Sequence, residues 1–208
     1  MKNILMVRML PANATLGLDV NVHWGIFSKA GKLSGAVQVS ELGHVKSEWC
    51  KLQGISDTAS EEEKIPDVVI LLLPGSLVIS RQLELNEGQR KHMGTVLPYL
   101  IEEELAVDID SIHIASLSHR KSNRVSLVAI SHENIQDILS VVAEAGLSPD
   151  HIYSDCQLLQ APPETIALIV DDSVVVMASP GHASQSLDYE AVPFACSQRL
   201  EALETNEG

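Results

Sequence analysis

Leu97-Pro-Tyr-Leu-Ile-Glu-Glu-Glu-Leu-Ala106 lies at the centre of a stretch, Asp67 to Leu117, whose order of elements decides the reading of this chain. Upstream, Asp67-Val-Val-Ile-Leu-Leu-Leu73 is apolar until Pro74-Gly75, the pattern of a strand covered on both faces and ended by a turn. Ser76 to Leu85 reads as a second strand. It enters a helix, from about Glu87 to Ala106, that carries Met93, Val96, Leu97, Leu100, Ile101 and Leu105 on one face. Pro98 cannot donate to the Gly94 carbonyl and its ring crowds that oxygen, at a cost of about 3 kcal/mol in a regular helix. The expectation is a bend between Gly94 and Leu100 that seats Leu97 and Leu100 in the core. Ser111-Ile-His-Ile-Ala-Ser-Leu117 is the next strand.

On the N-terminal side, Ile4–Leu10, Val20–Phe27 and Leu33–Val39 read as a three-stranded meander. Leu42, Val45, Trp49 and Leu52 then take helical spacing, with Gly54 as the stop. Three strands, a helix and the strand Asp67–Leu73 make the opening of a ribonuclease H-like fold. On the C-terminal side, Arg124–Ile130 pairs with Ser111–Ser118 as a hairpin around Lys121-Ser-Asn123. A second helix follows, with Ser131 as its N-cap and the stripe Ile135, Ile138, Leu139 and Val142. Gly146 falls where a left-handed residue ends a helix, with Leu147 placed to touch Val142. His151–Cys156 should return to the first lobe, and Thr165–Val170 with Val174–Ala178 form a last hairpin around Asp171-Asp-Ser173. The expected organisation is α/β: a ribonuclease H-like lobe over 1–75 plus 147–163, an inserted small α+β lobe over 76–146, and the start of a third lobe over 164–208.

The composition limits the function classes. Hydrophobic residues make up 45% of 208, enough for a folded core. The net charge of −14 and the brevity of the basic runs Arg90-Lys-His92 and His119-Arg-Lys121 argue against nucleic acid as a partner, and 3% aromatic content leaves little for base stacking. Cys50, Cys156 and Cys196 lack CxxC spacing and read as reduced thiols. No run of eighteen apolar residues occurs, so the expectation is a soluble piece, with Glu201–Gly208 as an exposed acidic end.

The patterns LPGSLVxxRQLEL from Leu73 and LPYLxEEELAxDIDxIHI from Leu97 resemble the cytoplasmic domain of type II secretion system protein L. The resemblance continues through Ala145-Gly-Leu-Ser-Pro149 to Pro162-Pro163. It implies actin-like lobes and a non-catalytic adaptor on the cytoplasmic face of the bacterial inner membrane. It also implies recruitment of the secretion ATPase, type II secretion protein E, and coupling of its work to pseudopilus assembly. Contacts with other inner-membrane platform proteins, a homodimer, and continuation into a transmembrane helix and a periplasmic domain are implied too.

The residues themselves offer no catalytic, cofactor-binding or metal constellation. Actin-like ATPases hold phosphates on two hairpin turns where an Asp and glycines admit the backbone amides. The corresponding Val7-Arg-Met-Leu-Pro-Ala-Asn13 has neither, and Val170-Asp-Asp-Ser173 has acid without glycine. No HExxH, HxH or GxSxG frame occurs. What stands out is Glu102, Glu103 and Glu104 with Asp108 and Asp110, an acidic rim at a helix end whose dipole disfavours anions, and one that a basic partner could meet. Glu102, Glu103, Asp108 and Asp110 are therefore the expected partner-binding residues. The rival reading is an actin-like nucleotide-binding protein of a pilus-assembly system.

Overall fold

The computed structural model describes residues 3–10, 16–56, 58–60, 63–102, 108–118, 123–170, 174–180 and 182–205, the last four of these by backbone alone. Contacts divide the chain into two compact units, one formed by Met1–Pro74 with Gln136–Asp155, the other by Gly75–Ile135 with Cys156–Gly208.

In the first unit, β1 (Asn3–Met9), β2 (Asn21–Ser28) and β3 (Leu33–Glu41) form the expected antiparallel meander. Leu5, Val7 and Met9 alternate inward along β1, the period that buries one face of a strand. A single turn of 3-10 helix, Leu42–His44, leads into α1 (Val45–Gln53). Leu42, Val45 and Trp49 are buried, whereas Leu52, expected on the same stripe, is 58% exposed because α1 stops one residue later. Gly54 closes α1 at φ +67°: its N–H bonds to the Lys51 carbonyl and that of Ile55 to Cys50, the paired bonds of a left-handed helix stop. The chain then returns as β4 (Val68–Leu73), parallel to β1. With β8 (His151–Ser154) parallel to β4, the sheet order is β3-β2-β1-β4-β8, the arrangement expected of a ribonuclease H-like lobe.

The second unit begins differently from expectation. Gly75–Leu77 is a turn of 3-10 helix, so the strand read from Ser76 starts at Ile79: β5 is Ile79–Glu84. It pairs with β7 (Arg124–Ser131), which also pairs with β6 (Ile112–Ser118), giving the order β5-β7-β6. The helix read from Glu87 to Ala106 is two: α2 (Glu87–Lys91) and α3 (Met93–Glu102). Asn86 caps α2 by accepting from Gln89 N–H at 2.9 Å, while the Gln89 side chain accepts from Asn86 N–H at 3.0 Å.

The helix is interrupted earlier than the bend expected at Pro98. The interruption falls at His92, whose φ of −122° and ψ of 30° leave the helix, and α3 runs on through Pro98. Restarting there puts Pro98 in the second turn of a short helix, where it forfeits one bond, the one to Gly94, and no neighbour lies within 4 Å of where a Gly94 Cβ would stand. The core assignment changes with it. Leu97 and Ile101 are 2% and 0% exposed, whereas Leu100, expected inside, is 41% exposed. Leu97 and Ile101 join Leu85, Ile112, Val125, Leu127 and Ala129 in the core between α3 and the sheet.

Helix α4 (His132–Glu144) has Ser131 at its start, accepting from Asn134 N–H at 3.0 Å, and Ile138 and Val142 on its buried side. At its end Gly146 has φ +74°, its N–H bonding to Ala143 and that of Leu147 to Val142. From Gln136 onward α4 belongs to the first unit, and the second unit resumes at Cys156 with β9 (Ala167–Val170), β10 (Val175–Ala178) and β11 (Gln185–Leu187) as an antiparallel sheet, followed by α5 (Val192–Thr205). The hairpin of β9 and β10 was expected; β11 and α5 were not. No helix among the described residues is long and apolar enough to cross a membrane.

Candidate functional site

In the second unit a groove opens beside α3. Gly94, Thr95, Pro98 and Tyr99 on α3 face Ile109, Asp110, Ile112 and Ile114, and between them runs an open groove of about 420 Å3. Small or ring side chains at Gly94, Thr95 and Pro98 keep α3 from filling it. Tyr99 stands 69% exposed at its margin.

The acidic residues separate into different roles. Glu102 is the last described residue of α3 and is exposed, a carboxylate at the helix end where the dipole disfavours it. Glu103 and Glu104 lie outside the described residues. Asp108 caps a 3-10 turn, Ile109–Ser111, by accepting from Asp110 N–H at 3.0 Å, and Ser111 donates its hydroxyl to the Asp108 carbonyl. Asp108 and Asp110 therefore sit at the start of a turn, where free amides favour carboxylates. Asp110 is also exposed and lines the groove. Asp108 thus carries a structural task as well as a charge. Neither Glu102 nor Asp110 has a cation within ion-pair distance among the described residues.

In the first unit, Arg8 crosses from β1 to Asp155, its Nη2 3.0 Å and its Nε 3.2 Å from Asp155 Oδ2. No local pattern in the sequence marks that pairing, because the two are brought together only through β4 lying between β1 and β8. Residues 11–15 and 171–173, the tips of the two turns compared with phosphate loops, lie outside the described residues. The histidines are dispersed: His44 approaches Glu41 at 3.5 Å, His151 stacks on Tyr153, and His113 and His132 are 6.4 Å apart ring to ring. Among the described residues no three His, Cys, Asp or Glu side chains converge as metal ligands.

A ribonuclease H-like five-stranded sheet in one unit and a second α/β unit, with a groove bordered by Asp110, define an α/β protein with an actin-like fold. The family model of type II secretion system protein L matches residues 16–204, and the chain belongs to that family. It is 28% identical over 115 residues to type II secretion system protein L of Pectobacterium carotovorum, covering 54% of this chain and 27% of that one. It is 24% identical over 151 residues to the Vibrio cholerae protein of the same name, covering 73% of this chain and 34% of that one. The chain thus spans about a third or less of the curated relatives it matches. Among solved structures, it resembles the cytoplasmic domain of EpsL, an inner-membrane component of the type II secretion system of Vibrio cholerae. There the TM-score is 0.69 at 18% identity, over 93% of this chain and 74% of that one. A PilM–PilN type IV pilus biogenesis complex follows, with TM-score 0.55 at 16% identity over 97% of this chain and 68% of the other. A Bacteroides thetaiotaomicron protein with an actin-like ATPase fold gives 0.50 at 13% over 98% of this chain and 77% of that one. At these identities the structural likenesses establish the fold alone.

Proposed function

We propose that this domain is a non-catalytic adaptor at the cytoplasmic face of the inner membrane, recruiting the type II secretion ATPase to the other platform proteins of the system, as a homodimer. Membership of the protein L family over residues 16–204 carries the reading. Support comes from the groove beside α3, with exposed Glu102 and Asp110 unneutralised among the described residues, on a chain of net charge −14. Such a surface favours a basic partner and acts mainly on the rate and register of encounter.

Surface plasmon resonance against the cognate secretion ATPase, at low and high salt, tests it. Glu102→Lys with Asp110→Lys should slow association roughly tenfold and weaken its salt dependence, the fold remaining intact. Absence of binding by the unaltered domain would sink the adaptor reading; unchanged kinetics in the double variant would remove the acidic rim from the interface.

The likeness to a protein with an actin-like ATPase fold keeps one rival in play, a nucleotide-binding switch. Calorimetry with ATP and magnesium separates the two. The adaptor reading expects no binding tighter than about 1 mM, roughly −4 kcal/mol.

A further inference from the structure

The six sheet edges of the described residues differ in how they are protected. β8 and β9 have four residues each and β11 three, too short to template a long pairing. β5 carries Arg81 and Glu84. β3 is broken by a register shift opposite Gly25 and by Gly35 at φ +87°. Charge, brevity and bulges are the devices that keep an edge from pairing with another chain. β6 has none of them. It runs seven residues, Ile-His-Ile-Ala-Ser-Leu-Ser, without Asp, Glu, Lys, Arg or Pro. Its register with β7 is unbroken from Ile112↔Ser131 to Ser118↔Val125. In an antiparallel ladder the N–H and C=O groups of every second residue turn away from the partner strand. Among the described residues no strand pairs with that outer side of β6, where Ala115, Ser116 and Leu117 are exposed.

The groove runs along this same edge. Ile112 and Ile114 of β6 form one wall, and Pro98 and Tyr99 of α3 the other. The end before Ile112 is acidic. Asp108 and Asp110 precede Ile112, while at the far end Arg90 donates to the Ser118 hydroxyl at 2.6 Å. We propose that the free edge of β6 accepts an extended segment of a partner protein as a fourth strand. Its alternate apolar side chains enter the groove, and Lys or Arg at one end lies against Asp110. Main-chain bonds to β6 give the affinity, the groove selects alternate side chains, and the carboxylate of Asp110 at one end fixes the direction. Only the identity of the partner as the secretion ATPase rests on the function proposed above; the mode of docking rests on the edge itself.

Residue-resolved amide exchange by NMR on the 208-residue chain tests this with two probes. One is a synthetic heptapeptide of alternating valine and threonine with two lysines at one end, set against the same peptide ending in two glutamates. The other is the cognate secretion ATPase. Protection gained at every second amide of Ile112–Ser118, with roughly tenfold weaker binding of the glutamate peptide, is the expected result. Binding of the ATPase without that alternating protection overturns the strand while leaving the adaptor reading standing. Alternating protection by the lysine peptide without ATPase binding keeps the strand and removes the ATPase. Silence with both probes removes both. Protection that grows with protein concentration alone would make a second copy the occupant and overturn the proposal. Ser116→Lys, an exposed edge position, should abolish the protection without unfolding the sheet.

Discussion

Arg8 on β1 donates from Nε and Nη2 to one oxygen of Asp155, at 3.2 and 3.0 Å, across the strand that separates them. Asp155 is 5% exposed and Arg8 19%. The pair therefore ties the N-terminal strand to the residue that follows β8, 147 positions later. Removing one member leaves a charge in a poorly solvated place, which costs more than the pair itself contributes.

Arg8→Met should accordingly destabilise the first unit by roughly 3 kcal/mol, and Arg8→Met with Asp155→Leu by clearly less. Urea unfolding followed by tryptophan fluorescence reads this unit, since Trp24 and Trp49 both belong to it and both are buried. A loss below about 0.5 kcal/mol in the single variant, the level of an ordinary surface change, would show that the pair is not holding the strands.

The division of the α3 face makes a second test. Leu97→Ala and Ile101→Ala should each cost about 2 to 5 kcal/mol, as truncations inside a packed core do. Leu100→Ala, at a position 41% exposed, should cost less than about 1 kcal/mol. Equal losses at Leu97 and Leu100 would contradict the orientation of α3.

Gly146 provides a third. Its φ of +74° disfavours any residue with a Cβ, and a Cβ there would stand 3.1 Å from Cδ of Lys46, a flexible side chain that can withdraw. Gly146→Ala should cost about 1 to 2 kcal/mol through backbone strain alone, and adding Lys46→Ala should not restore it. Recovery in the double variant would mean that the clash, not the left-handed backbone, sets the cost.

A fourth concerns Glu63, whose carboxylate accepts from both the backbone N–H and the hydroxyl of Ser60, at 2.9 and 3.1 Å. These bonds, the backbone one foremost, lower its pKa below the ordinary glutamate range. With the folded pKa depressed, any contribution to stability is present above the unfolded pKa and fades as pH falls through the folded one. A carbon-detected NMR titration should show Glu63 ionising below the ordinary glutamate range, and Ser60→Ala should move it back upward. An unmoved titration in Ser60→Ala would assign the shift elsewhere.

Much of the fold was legible because it rests on local signals. The meander β1-β2-β3 followed from alternation, α1 from helical spacing, and the ends of α1 and α4 from Gly54 and Gly146, whose left-handed conformations glycine adopts at no steric cost. The start of α2 was also written locally, in the capping box Asn86-Glu-Gly-Gln89, whereas nothing so local marks the break at His92 that divides α2 from α3. Helix α5 was less legible, since its apolar residues form no clear stripe and Phe194 and Leu200 remain exposed. At the candidate site, Glu102 and Asp110 were identifiable as charges, but nothing in the spacing revealed that Asp108 caps the next turn or that Asp110 borders a groove.

Local patterns in the sequence record most of the strands, the stops of α1 and α4 and, around Leu73 and Leu97, which family the chain resembles. These depend on contacts between residues a few positions apart, which a linear pattern records. The tertiary structure decided what lies next to what: β4 between β1 and β8, so that Arg8 meets Asp155, and β6 at the margin of its sheet beside the open flank of α3. Which strand becomes an edge depends on pairings between distant segments. An edge strand and a central one can share the same alternation, so only the folded arrangement distinguishes them.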